Sequence, residues 1–182
     1  NVGIDHDDLR MSVLVQPVVD ADYAFVIHTV NPSSKDQTEL YAEVVMGLGE
    51  ALVGNYPGRA LSFSVKKTSG ETPRVLGFPS KSVMLKIPRQ TLIFRSDSNG
   101  EDLEGYAGAG LYESVPMDEE ETIHADYATD PLVWDEGFRT ELLSKIAEAG
   151  VAIEAALDGQ PQDIEGVVKD GEIYVVQTRP QV

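Results

Sequence analysis

The sequence predicts an α+β protein, mainly β-sheet, with one long helix in its C-terminal half and a closing β-hairpin. Three observations predict it. Short runs rich in Val, Ile and Tyr recur between turn signals. One stretch, 136–157, repeats apolar residues at three and four. The last twenty residues hold two β-rich runs around Asp170-Gly171, a hairpin signal.

The elements follow in order. Residues 1–10 are polar and read as a lead-in. Strands are expected at 11–19, 23–30 and 39–46. The near-continuous apolar run 11–19 predicts burial on both faces. Asn31-Pro32-Ser33-Ser34-Lys35-Asp36 is a turn. Gly47-Leu48-Gly49-Glu50 opens a short helical turn. Residues 59–67 and 73–78 form a further hairpin, with Lys66 and Lys67 solvated. Leu92-Ile93-Phe94 is a short strand leading into a Gly-rich loop, Arg95 to Gly110. Asp118-Glu119-Glu120-Glu121 reads as a solvated loop. In the helix, Phe138, Leu142, Ile146, Ala149, Ile153 and Leu157 form one apolar stripe facing the core. Asp135 can cap its start and Gly159 its end. Glu141 and Lys145 pair on its wet side. Trp134, beside the helix start, reads as core rather than as a sugar platform.

Composition sets outer bounds. A chain of 182 residues is long enough for one domain, and 42% apolar content supports a real core. There are no cysteines, so neither disulfides nor thiol chemistry is available. The net charge of −17 argues against a nucleic-acid or anionic-membrane partner. No apolar run approaches the length of a membrane span.

The closing hairpin holds the main candidate site. Asp163 and Glu165 share one strand face, as do Gln177 and Arg179. A two-residue loop at Asp170-Gly171 would pair 165 with 176 and set the carboxylates opposite the Gln/Arg pair. A three-residue loop from Lys169 would pair 163 with 177 and bring all four together. Asp-Gly permits either; the three-residue loop is the expectation adopted, because it gives Arg179 carboxylate company. Two carboxylates and an amide oxygen are hard ligands suited to Mg²⁺, and an adjacent guanidinium can fork onto a phosphate. The alternative is an ordinary surface hairpin with cross-strand ion pairs.

A second candidate is the stretch from Arg95 to Gly110. Gly105, Gly108 and Gly110 permit close backbone approach, Arg95 can reach a phosphoryl group, and Ser96 and Ser98 add hydroxyls. No Gly-Lys-Ser/Thr follows, so it is not a Walker A loop. Glu43 and Glu50 either line a metal site or are surface carboxylates. His6, His28 and His124 each read as plain structure.

The wording of these segments is more specific than their chemistry. Asp163-Ile164-Glu165-Gly166-Val167-Val168 with Tyr174-Val175-Val176-Gln177-Thr178-Arg179-Pro180 resembles the close of the ATP-grasp nucleotide-binding domain in the pyruvate phosphate dikinase and phosphoenolpyruvate synthase superfamily. Met11 to Val19 is similar to its hinge strand, whose backbone borders adenine. Ala24 to Pro32 and Tyr41 to Glu50 are similar to the next two core strands. Arg95-Ser96-Asp97-Ser98-Asn99-Gly100-Glu101-Asp102-Leu103-Glu104-Gly105-Tyr106 resembles the α-glucan water dikinase family, the starch-phosphorylating enzymes of plants and algae. In the phosphoenolpyruvate synthases a comparable stretch lies upstream of the hinge strand; here it lies downstream.

The resemblance implies one ATP-grasp-type nucleotide-binding lobe over 1–182, a C-terminal portion of a larger enzyme. It implies that ATP and Mg²⁺ bind here, with metal on Glu165 and Gln177 supported by Asp163. ATP contacts would come from Gln16, Pro17, Val18, Arg95, Ser96, Glu165, Gln177 and Arg179, the two arginines serving phosphate transfer. The β-phosphate of ATP would pass through a histidine outside this chain to α-glucan (starch), releasing AMP and phosphate, in a plastid. The alternatives are a pyruvate phosphate dikinase-like or phosphoenolpyruvate synthase-like phosphotransferase and a non-catalytic scaffold module.

Overall fold

A computed structural model describes residues 10–47, 52, 60–88, 92–98, 102–103, 106–107, 114–118 and 120–181. The chain divides into two compact units, Asn1–Val19 with Pro88–Glu121 and Val182, and Asp20–Ile87 with Thr122–Gln181.

The larger unit is built on a six-stranded antiparallel sheet. Its strands are β2 (Tyr23–His28), β3 (Glu39–Met46), β4 (Leu61–Lys66), β5 (Arg74–Gly77), β12 (Gln162–Lys169) and β13 (Glu172–Pro180). Their order is β13-β12-β2-β3-β4-β5, so the closing hairpin joins the sheet beside β2. Alternation along these strands sorts the side chains into two faces. Phe25, Ile27, Leu40, Ala42, Val44, Leu61, Phe63, Val65, Ile164 and Val168 form one core.

Helix α2 (Glu136–Ala156) covers that apolar face, following a short α1 (Pro131–Trp134). Leu142, Leu143, Ile146, Ala147 and Gly150 are its buried line. The expected stripe is thus right in its middle and rotated toward Leu143 and Ala147, while Phe138 and Leu157 at its ends are exposed. Asp135 caps the start by accepting from the Phe138 amide at 3.0 Å. The end closes with the Gly159 amide donating to the Glu154 carbonyl at 2.9 Å, with Asp158 and Gly159 both at positive φ. Glu141 and Lys145 pair at 3.0 Å as expected.

Lys67 is not solvated. It meets Glu154 of α2 at 2.6 Å with both side chains largely buried, whereas Lys66 pairs with Asp36 at the surface. Glu154 also accepts from the Thr29 hydroxyl, which in turn accepts from the Gln162 amide at 2.8 Å. That chain ties the helix end, the exit of β2 and the entry of β12 together. Trp134 departs from expectation too. It is 64% exposed, because its ring N–H donates to the Thr129 carbonyl and holds it outside the core.

Strands β6 (Ser82–Pro88) and β11 (Glu120–Asp126), neither anticipated, pair as a two-stranded ribbon. Thus Glu120 and Glu121 of the expected acidic loop lie in a strand. In the smaller unit, β1 (Met11–Pro17), β7 (Leu92–Ser98) and β10 (Ser114–Pro116) form a sheet in the order β1-β7-β10. Here the expected double-sided burial of 11–19 fails: Met11, Val13, Leu14 and Val15 are exposed. Among its described residues this unit has no helix. A small pair, β8 (Asp102–Leu103) with β9 (Tyr106–Ala107), follows β7. The stretch expected as one loop after Phe94 therefore contains strand instead, with Arg95 in the middle of β7 rather than at its end. Gly105, Gly108, Gly110 and Glu50, with the turn at Leu48–Glu50, lie outside the described residues.

Candidate functional site: a polar face on the closing hairpin

The β12–β13 turn holds two residues, not three. Lys169 pairs with Glu172, and Asp170 (φ 51°) and Gly171 (φ 78°) both take the left-handed conformation that such a tight hairpin needs. Unbroken, that register would put the carboxylates and the Gln/Arg pair on opposite faces. A bulge restores them. Gly166 pairs with Val175 and Glu165 with Gln177, so Val176 is the extra residue. Beyond it Asp163 faces Arg179. All four share one face, through a bulge and not through the expected loop, and with 163 opposite 179 rather than 177.

The same face continues across the sheet. One row runs Arg179, Asp163, His28, Tyr41, Ser64; the next runs Gln177, Glu165, Val26, Glu43, Ser62. The strand register alone dictates this, since directly paired residues project to the same side. His28, read from sequence as plain structure, is thereby a member of the cluster. Its Nδ1 lies 2.6 Å from Asp163 Oδ1. A carboxylate only accepts, so Nδ1 carries the proton and donates. The imidazole stacks on the Tyr41 ring at 6.1 Å, and the Tyr41 hydroxyl donates to Glu43 at 2.6 Å. Burial, then this bond to Glu43, pushes the Tyr41 hydroxyl up to about 12. Asp163 Oδ2 faces Arg179 Nε at 3.7 Å. No local sequence signal marks His28, because its partner is 135 positions away.

The donor set suits a hard cation sharing its shell with phosphate. Glu165 and Gln177 are cross-strand neighbours whose Cβ atoms lie about 5 Å apart by strand geometry. Among the described residues no group of three or more His, Asp or Glu is placed to hold a metal unaided. Mg²⁺ commonly takes one or two carboxylates and completes its shell with water and substrate phosphate. One carboxylate and one amide oxygen beside an arginine fit that habit. Asp163 already serves His28 and Arg179, which matches a supporting place.

The other expected residues lie in the smaller unit. Gln16 and Pro17 are on β1 and Val18 follows it. Arg95 and Ser96 are on β7, opposite Leu14 and Val13. By alternation Gln16 and Arg95 share one face of that sheet, and Pro17 and Ser96 the other.

Comparison with known proteins identifies the class. The chain belongs to the family described as the pyruvate phosphate dikinase AMP/ATP-binding domain, which matches residues 1–182. Among individual proteins, it is 68% identical to the chloroplastic alpha-glucan water dikinase of Solanum tuberosum, over all of this chain and 12% of that protein. It is 59% identical to alpha-glucan water dikinase 2 of Arabidopsis thaliana, over 98% of this chain and 14% of that protein. A probable phosphoenolpyruvate synthase of Methanocaldococcus jannaschii is 29% identical over 98% of this chain and 12% of its own length. The chain thus spans 12–14% of the length of these three relatives.

Proposed function

We propose that this chain is the ATP–Mg²⁺-binding, ATP-grasp-type lobe of an α-glucan water dikinase, one lobe over 1–182. The observation that carries the reading is the face bearing Glu165, Gln177, Asp163 and Arg179, brought together by the bulge at Val176. Glu165 and Gln177 hold the metal, which when bound offsets phosphate charge. Arg179 forks onto a phosphate, and Asp163 aims it. The resemblance also implies nucleotide contacts from Gln16, Pro17, Val18, Arg95 and Ser96, which belong to the smaller unit. Phosphoryl transfer asks the protein mainly for positioning and charge compensation, and these residues supply both. A local cationic group matters more than usual on a chain of net charge −17.

In the full enzyme the β-phosphate of ATP goes first to a histidine outside this chain and then to a glucosyl hydroxyl of starch, with AMP and orthophosphate released. The setting is a plastid, as the chloroplastic labels of the 65–68% identical relatives suggest. Identity of 59–68% to glucan dikinases against 25–29% to phosphoenolpyruvate synthases favours glucan over pyruvate. The test is calorimetric titration with ATP and Mg²⁺. Arg179→Ala and Glu165→Ala should each weaken binding at least about tenfold, the scale of a charge-assisted contact. Unchanged affinity in both variants would refute the site. Starch should remain unphosphorylated by the isolated chain; detectable product would refute the division of labour.

A further inference from the structure

We infer that His28 is a positioning residue for the phosphate-binding arginine, acting through Asp163. The inference rests on the site reading above and extends it to a residue outside the Asp163–Arg179 hairpin. Three observations carry it. His28 Nδ1 lies 2.6 Å from Asp163 Oδ1 while the other oxygen of the same carboxylate faces Arg179 Nε at 3.7 Å. The three residues sit side by side in one row across β2, β12 and β13. The imidazole is itself held, by the Asp163 bond on its edge and by stacking on Tyr41 across its face.

The physical consequence is directional. A carboxylate on a strand can rotate about its side-chain bonds, and an arginine opposite it can follow several ways. Fixing Oδ1 on the Nδ1–H of His28 leaves Oδ2 as the oxygen presented to Arg179. The ion pair then engages the guanidinium through Nε. Its two terminal amino groups remain available as the fork that matches a phosphate. Without His28, Asp163 is released to chelate the terminal amino groups, in competition with the nucleotide. His28 thus acts on phosphate binding without touching phosphate.

A merely structural histidine makes a different prediction, so a double-mutant cycle decides. ATP–Mg²⁺ affinity is measured on the full natural polypeptide carrying this chain, for wild type, His28→Leu, His28→Asn, Arg179→Ala and His28→Leu/Arg179→Ala. Thermal unfolding of each checks the fold. Loss of His28 should weaken binding roughly tenfold. His28→Asn, whose amide N–H stands where Nδ1–H was, should recover most of that. Once Arg179 is gone, His28→Leu should cost nothing further. Wild-type affinity in His28→Leu would overturn the inference, and so would an equal loss with and without Arg179. If Arg179→Ala itself binds normally, or wild type does not bind ATP, the site reading falls and takes this inference with it.

Discussion

At Gly166 an added Cβ would overlap the Phe25 ring, with Cε2 at 2.7 Å, and would lie 2.8 Å from the Tyr174 carbonyl oxygen. Ring and backbone both occupy the space a side chain would need, and the bulge begins at this residue. Gly166→Ala should therefore destabilise the protein by about 2 kcal/mol or more, in the range of core overpacking, measured as a fall in the urea midpoint. A glycine inside a strand pattern is a sequence signal for a bulge or close approach, and here it is both. Tyr41 gives a second prediction. In the unfolded chain a tyrosine titrates near 10; folded, Tyr41 holds its proton up to about 12. The unfolded state thus releases this proton first. Its contribution to stability is intact below pH 10 and is lost as the pH rises through 12. Unfolding at stepped alkaline pH checks this, and Tyr41→Phe should flatten part of the slope; buried Tyr23 and Tyr127, whose hydroxyls are also pushed up, and Lys66 and Lys169, held up by their carboxylate partners, contribute to the rest. At this scale alternation made the pairs Asp163/Glu165 and Gln177/Arg179 legible, and the strand register puts both pairs on one face. His28 was not legible, because its meaning comes from a strand pairing across most of the chain.

The closing hairpin and α2 were legible as elements because each carries its own local rule, a turn dipeptide or a helical period. The hairpin register was not. Asp170-Gly171 is compatible with two loop lengths, and the strand twist selects the two-residue turn whose residues both take positive φ. The shift then has to be absorbed by Val176. Gly171→Ala forces a side chain into φ 78° and should cost about 1 kcal/mol, read from equilibrium unfolding, whereas Asp170→Asn should be nearly neutral because Asn also tolerates that conformation. β8 and β9 are two residues each, too short to show any period. β1 misled through composition: the apolar content of 11–19 reads as burial on both faces, yet Met11, Val13, Leu14 and Val15 are exposed.

For the molecule, the larger unit resolves a division of labour between the two faces of one sheet. The face beneath α2 is apolar and buried; the other bears the polar rows that end in the hairpin. Predominant β-structure with one long helix was readable from the sequence, and the matching family supports a nucleotide-binding role. The order β13-β12-β2-β3 was not readable, yet it is what brings the candidate residues together, since it sets the last strands of the chain beside an early one. The most direct measurement is a crystal structure of the protein with Mg²⁺ and a non-hydrolysable ATP analogue. The expected result is a metal held by Glu165 and Gln177, and a phosphate within hydrogen-bonding distance of the terminal amino groups of Arg179, while Asp163 still accepts from His28. A nucleotide bound elsewhere, with this face unchanged and empty, would contradict it.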